Sequence, residues 1–312
     1  MSMLRARQSR AVTSHAPWSP VTGIPVAGEW TNEQSVRYVV QTAMGHYENF
    51  PVAFTLFDRH VVEALSAIYA FARTADDFAD EPAFKEKGLD YLDDWQRQLE
   101  DCFDGRSTHP VFIALARARQ QFQLEIEPFQ DLISAFRQDA AGFRYDTYPQ
   151  VLDYCSRSAN PVGRLVLRVL GLDSDKRLIK ASDELCTALQ LTNFWQDLSV
   201  DLPRGRVYVP GKDMDAFSLS PDDLLIGRQS YQLENLLIEL TSRVFPLYEN
   251  SRVLPRLVSF PASLYLSMVW RGGFSVLQSV CNLKAGIFRK RPKLSQAARL
   301  KVLLLSIADL AS

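Results

Sequence analysis

DRHVVEALSAIYAFARTADDFAD, residues 58–80, contains no Gly or Pro and repeats apolar residues at Val61, Ala64, Leu65, Ile68 and Ala72. That recurrence follows the 3.6-residue turn of an α-helix and predicts a helix over 58–79. Outward from it, helical recurrence extends over 89–103, 110–121, 128–139, 148–170, 176–200, 232–249, 262–283 and 295–310. Pro110, Pro128 and Pro149 stand near the starts of these segments, where a missing N–H costs little. Thr31, with Gln34 three residues on, has the pattern of a capping box that opens the first helix. Strand-like alternation is nearly absent. The expected fold is all-α, a single-domain helical bundle over 31–312 with a central cavity. Residues 1–30 read as a disordered arm, rich in Ser, Thr and Pro, with Arg5, Arg7 and Arg10 and no acid before Glu29.

Composition removes several classes of function. Lys and Arg total 35 against 36 Asp and Glu, a net charge of −1, so there is no global basic field for nucleic acid. No apolar run reaches the roughly 18 residues that a spanning helix needs. Cys102, Cys155, Cys186 and Cys281 form no CxxC pair, and His15, His46, His60 and His109 include no pair at i, i+4. Thiolate or imidazole metal sites are therefore not expected, and unpaired thiols fit a reducing cytoplasm. Neither GxGxxG nor GxxxxGK[ST] occurs.

Two acidic rows stand out from this apolar background. On the first helix Tyr69, Arg73, Asp76 or Asp77, and Asp80 recur at three or four residues and share a face. Asp76 and Asp80 repel each other at i, i+4 and oppose the macrodipole near the helix C-terminus, a penalty that a bound cation would relieve. On a second helix Gln190, Asn193, Asp197 and Asp201 line one face, while Leu189, Leu191, Phe194, Trp195 and Leu198 occupy the other. Oxygen donors without His or Cys point to a hard cation, Mg²⁺ first and Mn²⁺ second, with Asp76, Asp77, Asp80, Asn193, Asp197 and Asp201 as candidate ligands. Pro203 and Gly205 end the second helix, and Arg204, Arg206 and Tyr208 follow. Arginines suit phosphate oxygens, although they also balance the neighbouring acids. Together these parts fit ionisation of an allylic or cyclopropylcarbinyl diphosphate, whose cation needs apolar and aromatic walls. Phe50, Phe54, Tyr69 and Tyr154 are candidates for such walls.

Asp76-Asp77-x-x-Asp80 and Asn193-x-x-x-Asp197-x-x-x-Asp201, with Gly205-Arg206-x-Tyr208-x-Pro210 behind them, resemble the squalene/phytoene synthase family from about His46 to Arg291. The resemblance implies an isoprenoid synthase bundle with an apolar tunnel, Mg²⁺ on both acidic helices and prenyl diphosphate substrates. It implies catalytic roles for Asp76, Asp80, Asp197 and Tyr154. Substrate contacts are implied for Phe50, Phe54, Tyr69, Arg73, Gln190, Gln196, Arg206 and Tyr208.

Three departures narrow the choice. Gln196 stands where the family usually has arginine in its second motif. Ser158-Ala-Asn160-Pro161-Val-Gly163 replaces the usual Val-Ala-Gly stretch, and Pro161 is expected to kink the helix over 148–170. His46-Tyr47-Glu48-Asn49-Phe50-Pro51 replaces a serine-rich segment. These features are similar to the branch of the bacterial hopanoid pathway that takes presqualene diphosphate and water, without NADPH, and yields an alcohol. Head-to-head joining of two prenyl diphosphates is the alternative within the family, and a non-catalytic assembly factor is the alternative from another class. Lys284, Arg289, Lys290, Arg291 and Lys293 precede the apolar run 302–307. They read either as a peripheral contact with the inner membrane face or as a basic turn before a packed helix, and Arg289 or Arg291 could instead reach the diphosphate.

Overall fold

The computed structural model describes residues 30–46 and 56–310, and the regular structure there is entirely helical. Phe50, Phe54 and, apart from Trp30, the N-terminal arm lie outside the described residues. Helices α1 (Asn32–His46), α2 (Arg59–Asp80), α3 (Gly88–Phe103), α4 (Pro110–Phe122) and α5 (Glu127–Ala140) come first. The chain then passes through α6 (Tyr148–Ser158) and α7 (Asn160–Val169) to α8 (Lys176–Gln196) and the single turn α9 (Leu198–Asp201). Two short helices, α10 (Gly211–Ala216) and α11 (Pro221–Ile226), precede α12 (Tyr231–Ser242), α13 (Phe245–Ser251), α14 (Ala262–Leu283) and α15 (Gln296–Asp309).

Two long helices organise the packing. α2 lies against α1, α3, α4 and α5, burying Phe71 edge-on to Phe129 with ring centres 5.0 Å apart. Trp95 of α3 and Phe112 of α4 close that core at 4.5 Å. α8 packs against α7, α13 and α14, and its Leu185, Leu191 and Trp195 join Tyr248 and Leu277 in a second core. α7 serves both: Leu165 and Val169 enter the first core and Leu167 enters the second. Gly163 permits its close approach to α8, because a Cβ there would lie 2.5 Å from Ser182 Oγ and 2.6 Å from Cys186 Sγ.

Local signals worked where they were strong. The capping box is formed: Gln34 N donates to Thr31 Oγ1 at 3.2 Å, and Thr31 N donates to Gln34 Oε1 at 3.0 Å. Three expected helices differ. The segment expected as one kinked helix over 148–170 is broken at Ala159 (φ −120°, ψ −48°), which starts a new helix with Pro161 in its first turn. That position removes no intrahelical bond, whereas the interior of one long helix would lose one to Pro161. The buried Asn160 then accepts a hydrogen bond from Thr187 Oγ1 at 3.0 Å, tying the break to α8. The helix expected over 176–200 is interrupted at Asp197 (φ −100°, ψ 9°), and that over 232–249 divides before Pro246. Along 302–307, Val302 and Ser306 are buried while Leu304, Leu305 and Ile307 are exposed, so the run is only half packed. All four cysteines are free, with Cys102 and Cys155 buried. No helix among the described residues is long and apolar enough to cross a membrane.

Candidate active site

α2 and α8 bring their polar rows to one cavity of about 690 Å³. Tyr69, Arg73, Asp76 and Asp80 come from α2, and Gln190 and Asn193 from α8, with Asp197 capping its end and Asp201 closing α9. Tyr154 of α6 and the turn residues Arg204, Arg206 and Tyr208 complete the polar end. Asp77 does not line this cavity; Arg73 holds it at 2.5 Å. An adjoining cavity of about 490 Å³ runs between α8 and α14 past Cys186, Leu189, Gly272, Gly273 and Val276. The two share Ser158, Val162, Gln190, Asn193, Tyr265 and Arg291, so they adjoin, and Lys293 and Arg299 line the second beside its apolar residues. Gln196 lines the adjoining cavity, and its amide donates to the Pro292 carbonyl.

Arginines neutralise most of the acids. Arg206 bridges the two acidic rows, reaching Asp80 at 2.5 Å and Asp201 at 3.1 Å. Arg73 also meets Asp76 at 3.3 Å, and Arg291 pairs with Asp197. Negative charge is nevertheless in excess. Burial, then repulsion from Asp80, pushes the Asp76 carboxyl up to about 7 despite Arg73. Burial raises Asp201 to about 6 against the pull of Arg206. Asp80 Oδ1 is buried without a hydrogen-bond partner. Among the described residues, no three His, Cys, Asp or Glu side chains converge closely enough to hold an ion alone. The cavity's Asp76, Asp80, Asn193, Asp197 and Asp201 offer oxygen donors alone, the chemistry that a hard cation such as Mg²⁺ takes, with water and phosphate oxygens completing its shell.

Asp139, at the end of α5, is a site residue that sequence spacing did not single out. Its carboxylate accepts from Tyr154 Oη at 2.5 Å and from Tyr208 Oη at 2.8 Å, and it lines the same cavity. Tyr208 stacks on Phe194 with ring centres 3.8 Å apart and planes 9° from parallel. Burial raises the Asp139 carboxyl to about 7 against the two tyrosine hydrogen bonds. Burial, and then Asp139, drives both phenols well above their ordinary range. The sign of the consequence is definite. Between about pH 4 and 7 the folded chain keeps a proton that the unfolded chain releases, so stability falls as pH rises through that window and levels off above it. Urea titrations in EDTA at about pH 5 and pH 8 should show wild type losing more stability than Asp139→Asn. Equal losses would mean that Asp139 titrates as an ordinary carboxyl.

Known proteins are similar to this chain in sequence and share its all-helical fold. The family model for squalene/phytoene synthase matches residues 43–298. The hydroxysqualene synthase of Rhodopseudomonas palustris is 33% identical over 266 residues, 84% of this chain and 86% of that protein. A phytoene synthase of Arthrospira platensis is 34% identical over 219 residues, 66% of this chain and 71% of that one. The crystal structure of squalene synthase HpnC from Alicyclobacillus acidocaldarius superposes with a TM-score of 0.75 at 34% identity, covering 81% of this chain and 95% of that one.

Proposed function

This chain belongs to the squalene/phytoene synthase family, and on that premise we propose that it is a hydroxysqualene synthase. It ionises presqualene diphosphate, lets the cation rearrange and captures it with water, giving hydroxysqualene and diphosphate without NADPH, as an early step toward hopanoids. Identity alone does not separate this reading from phytoene synthase, since the two relatives match almost equally. The observation that carries it is Gln196: a neutral amide tied to the Pro292 carbonyl at 2.6 Å, where joining two diphosphates would call for more positive charge.

The residues divide the work by charge. Asp76 and Asp80 of one row, and Asn193, Asp197 and Asp201 of the other, would hold Mg²⁺, which would supply positive charge for the departing diphosphate. Arg73 and Arg206 stand among those acids and present forked donors to the same group. The Phe194–Tyr208 stack and Tyr69 wall the polar end, so that aromatic faces rather than bulk water meet the cation. Val162, Leu189, Gly272 and Val276 line the space left for the hydrocarbon.

Product analysis tests this reading. Purified protein given presqualene diphosphate and Mg²⁺ should release diphosphate and form an alcohol, much faster than it condenses farnesyl diphosphate. In ¹⁸O-labelled water the label should enter the hydroxyl group. Squalene formed only when NADPH is added, or efficient presqualene diphosphate synthesis from farnesyl diphosphate, would assign the chain to another branch.

Lipid substrate and lipid product also suggest where the protein works. Leu300, Leu304 and Ile307 project from α15, each about half exposed, with the exposed Lys301 among them. Such a face suits peripheral contact with an anionic membrane from the cytoplasmic side. Co-sedimentation with anionic liposomes should exceed that with neutral ones and weaken with salt. Absence of binding to both at low salt would reject the contact.

A further inference from the structure

Two consecutive residues at the end of α8 meet two consecutive residues of the segment between α14 and α15. Gln196 Nε2 donates to the Pro292 carbonyl at 2.6 Å. Arg291 donates through Nε and NH2 to the two oxygens of Asp197, with NH2 to Oδ2 at 3.0 Å. The partners lie 96 and 94 positions apart in sequence, so the clasp is tertiary. Pro292 is buried, and Arg291 lies where the two cavities adjoin, lining both.

A guanidinium on both oxygens of Asp197 and a divalent cation compete for the same lone pairs. A diphosphate offers that guanidinium a replacement acceptor of similar forked geometry. We propose that Gln196 is a positioning residue that fixes residues 291 and 292 against α8, so that Arg291 exchanges from Asp197 to the diphosphate when metal and diphosphate bind together. The idea rests on the reading above only in requiring a metal and a diphosphate at this site, whatever the hydrocarbon.

Exchange makes a prediction of opposite signs that a merely structural ion pair does not. In Arg291→Gln, Asp197 loses its competitor, so Mn²⁺ alone should bind severalfold more tightly to the full chain. Inorganic pyrophosphate in saturating Mg²⁺ should bind about tenfold more weakly, the loss of one charge-assisted forked contact. Gln196→Met keeps the length of the side chain, removes the N–H donor and adds no charge. It should weaken pyrophosphate severalfold and speed amide hydrogen exchange at residues 289–291. Isothermal titration and hydrogen exchange read these effects without turnover. If both affinities of Arg291→Gln move the same way, or neither moves, the exchange is wrong; unchanged pyrophosphate affinity in Gln196→Met overturns the clasp. Wild type that takes pyrophosphate with Mg²⁺ but makes no alcohol would sink the functional reading alone. Wild type that takes no pyrophosphate would sink both.

Discussion

Asp76→Asn is expected to lower turnover of presqualene diphosphate by about three orders of magnitude while the metal-free fold loses no stability. The substitution keeps size and hydrogen-bonding capacity and removes only charge, which a hard cation and its diphosphate require. Asp76 is the cleanest of the four acids to change. Arg73 retains Asp77 at 2.5 Å, so no guanidinium is left without an acid. The carboxyl itself is disfavoured in the folded chain, by burial and by Asp80 four residues on, which raise it to about 7. Relief of that repulsion should hold or raise the melting temperature in EDTA. Asp80→Asn, Asp197→Asn and Asp201→Asn should lose similar activity, but each also leaves an arginine short of a partner. Full turnover in EDTA, or a wild-type rate for Asp76→Asn, would falsify the metal reading of the two rows.

Arg206→Met should be the most destabilising single change at the site. The Arg206 side chain is 17% exposed, and its guanidinium bridges Asp80 and Asp201, whose side chains are 18% and 14% exposed. Methionine preserves much of the stem's packing, so the loss is electrostatic: two nearly buried carboxylates left without their cation, about 3–5 kcal/mol. Urea unfolding in EDTA measures it. Added Mg²⁺ should then stabilise the variant more than wild type, because an ion that binds the folded state restores the missing charge. Turnover should remain at least about a hundredfold low even with Mg²⁺, since the ion does not replace the forked donor. A variant as stable as wild type in EDTA would show that the bridge contributes little.

Most of the helices were legible because their signals are local. The recurrence at Val61, Ala64, Leu65 and Ile68 reports one buried face of α2, and Thr31 with Gln34 completes the cap of α1 within four residues. Both acidic rows were legible for the same reason, since spacing of three and four places side chains on one helix face wherever that helix packs. Reading Pro161 as a kink missed the alternative of starting a new helix. That outcome depends on Asn160 finding Thr187, 27 residues away.

By itself, then, the sequence determined the helical class, the two oxygen rows and the family, all consequences of short-range periodicity and fixed motif spacing. Only the tertiary structure decided which acids each arginine neutralises. It placed Asp139 under Tyr154 and Tyr208, 15 and 69 residues on, and it brought Arg291 to Asp197 across 94 residues. It also left half of the 302–307 run exposed. No periodicity links such partners, because hydrogen bonds between helices follow from how packed cores set the helices against one another, and that depends on the whole chain at once.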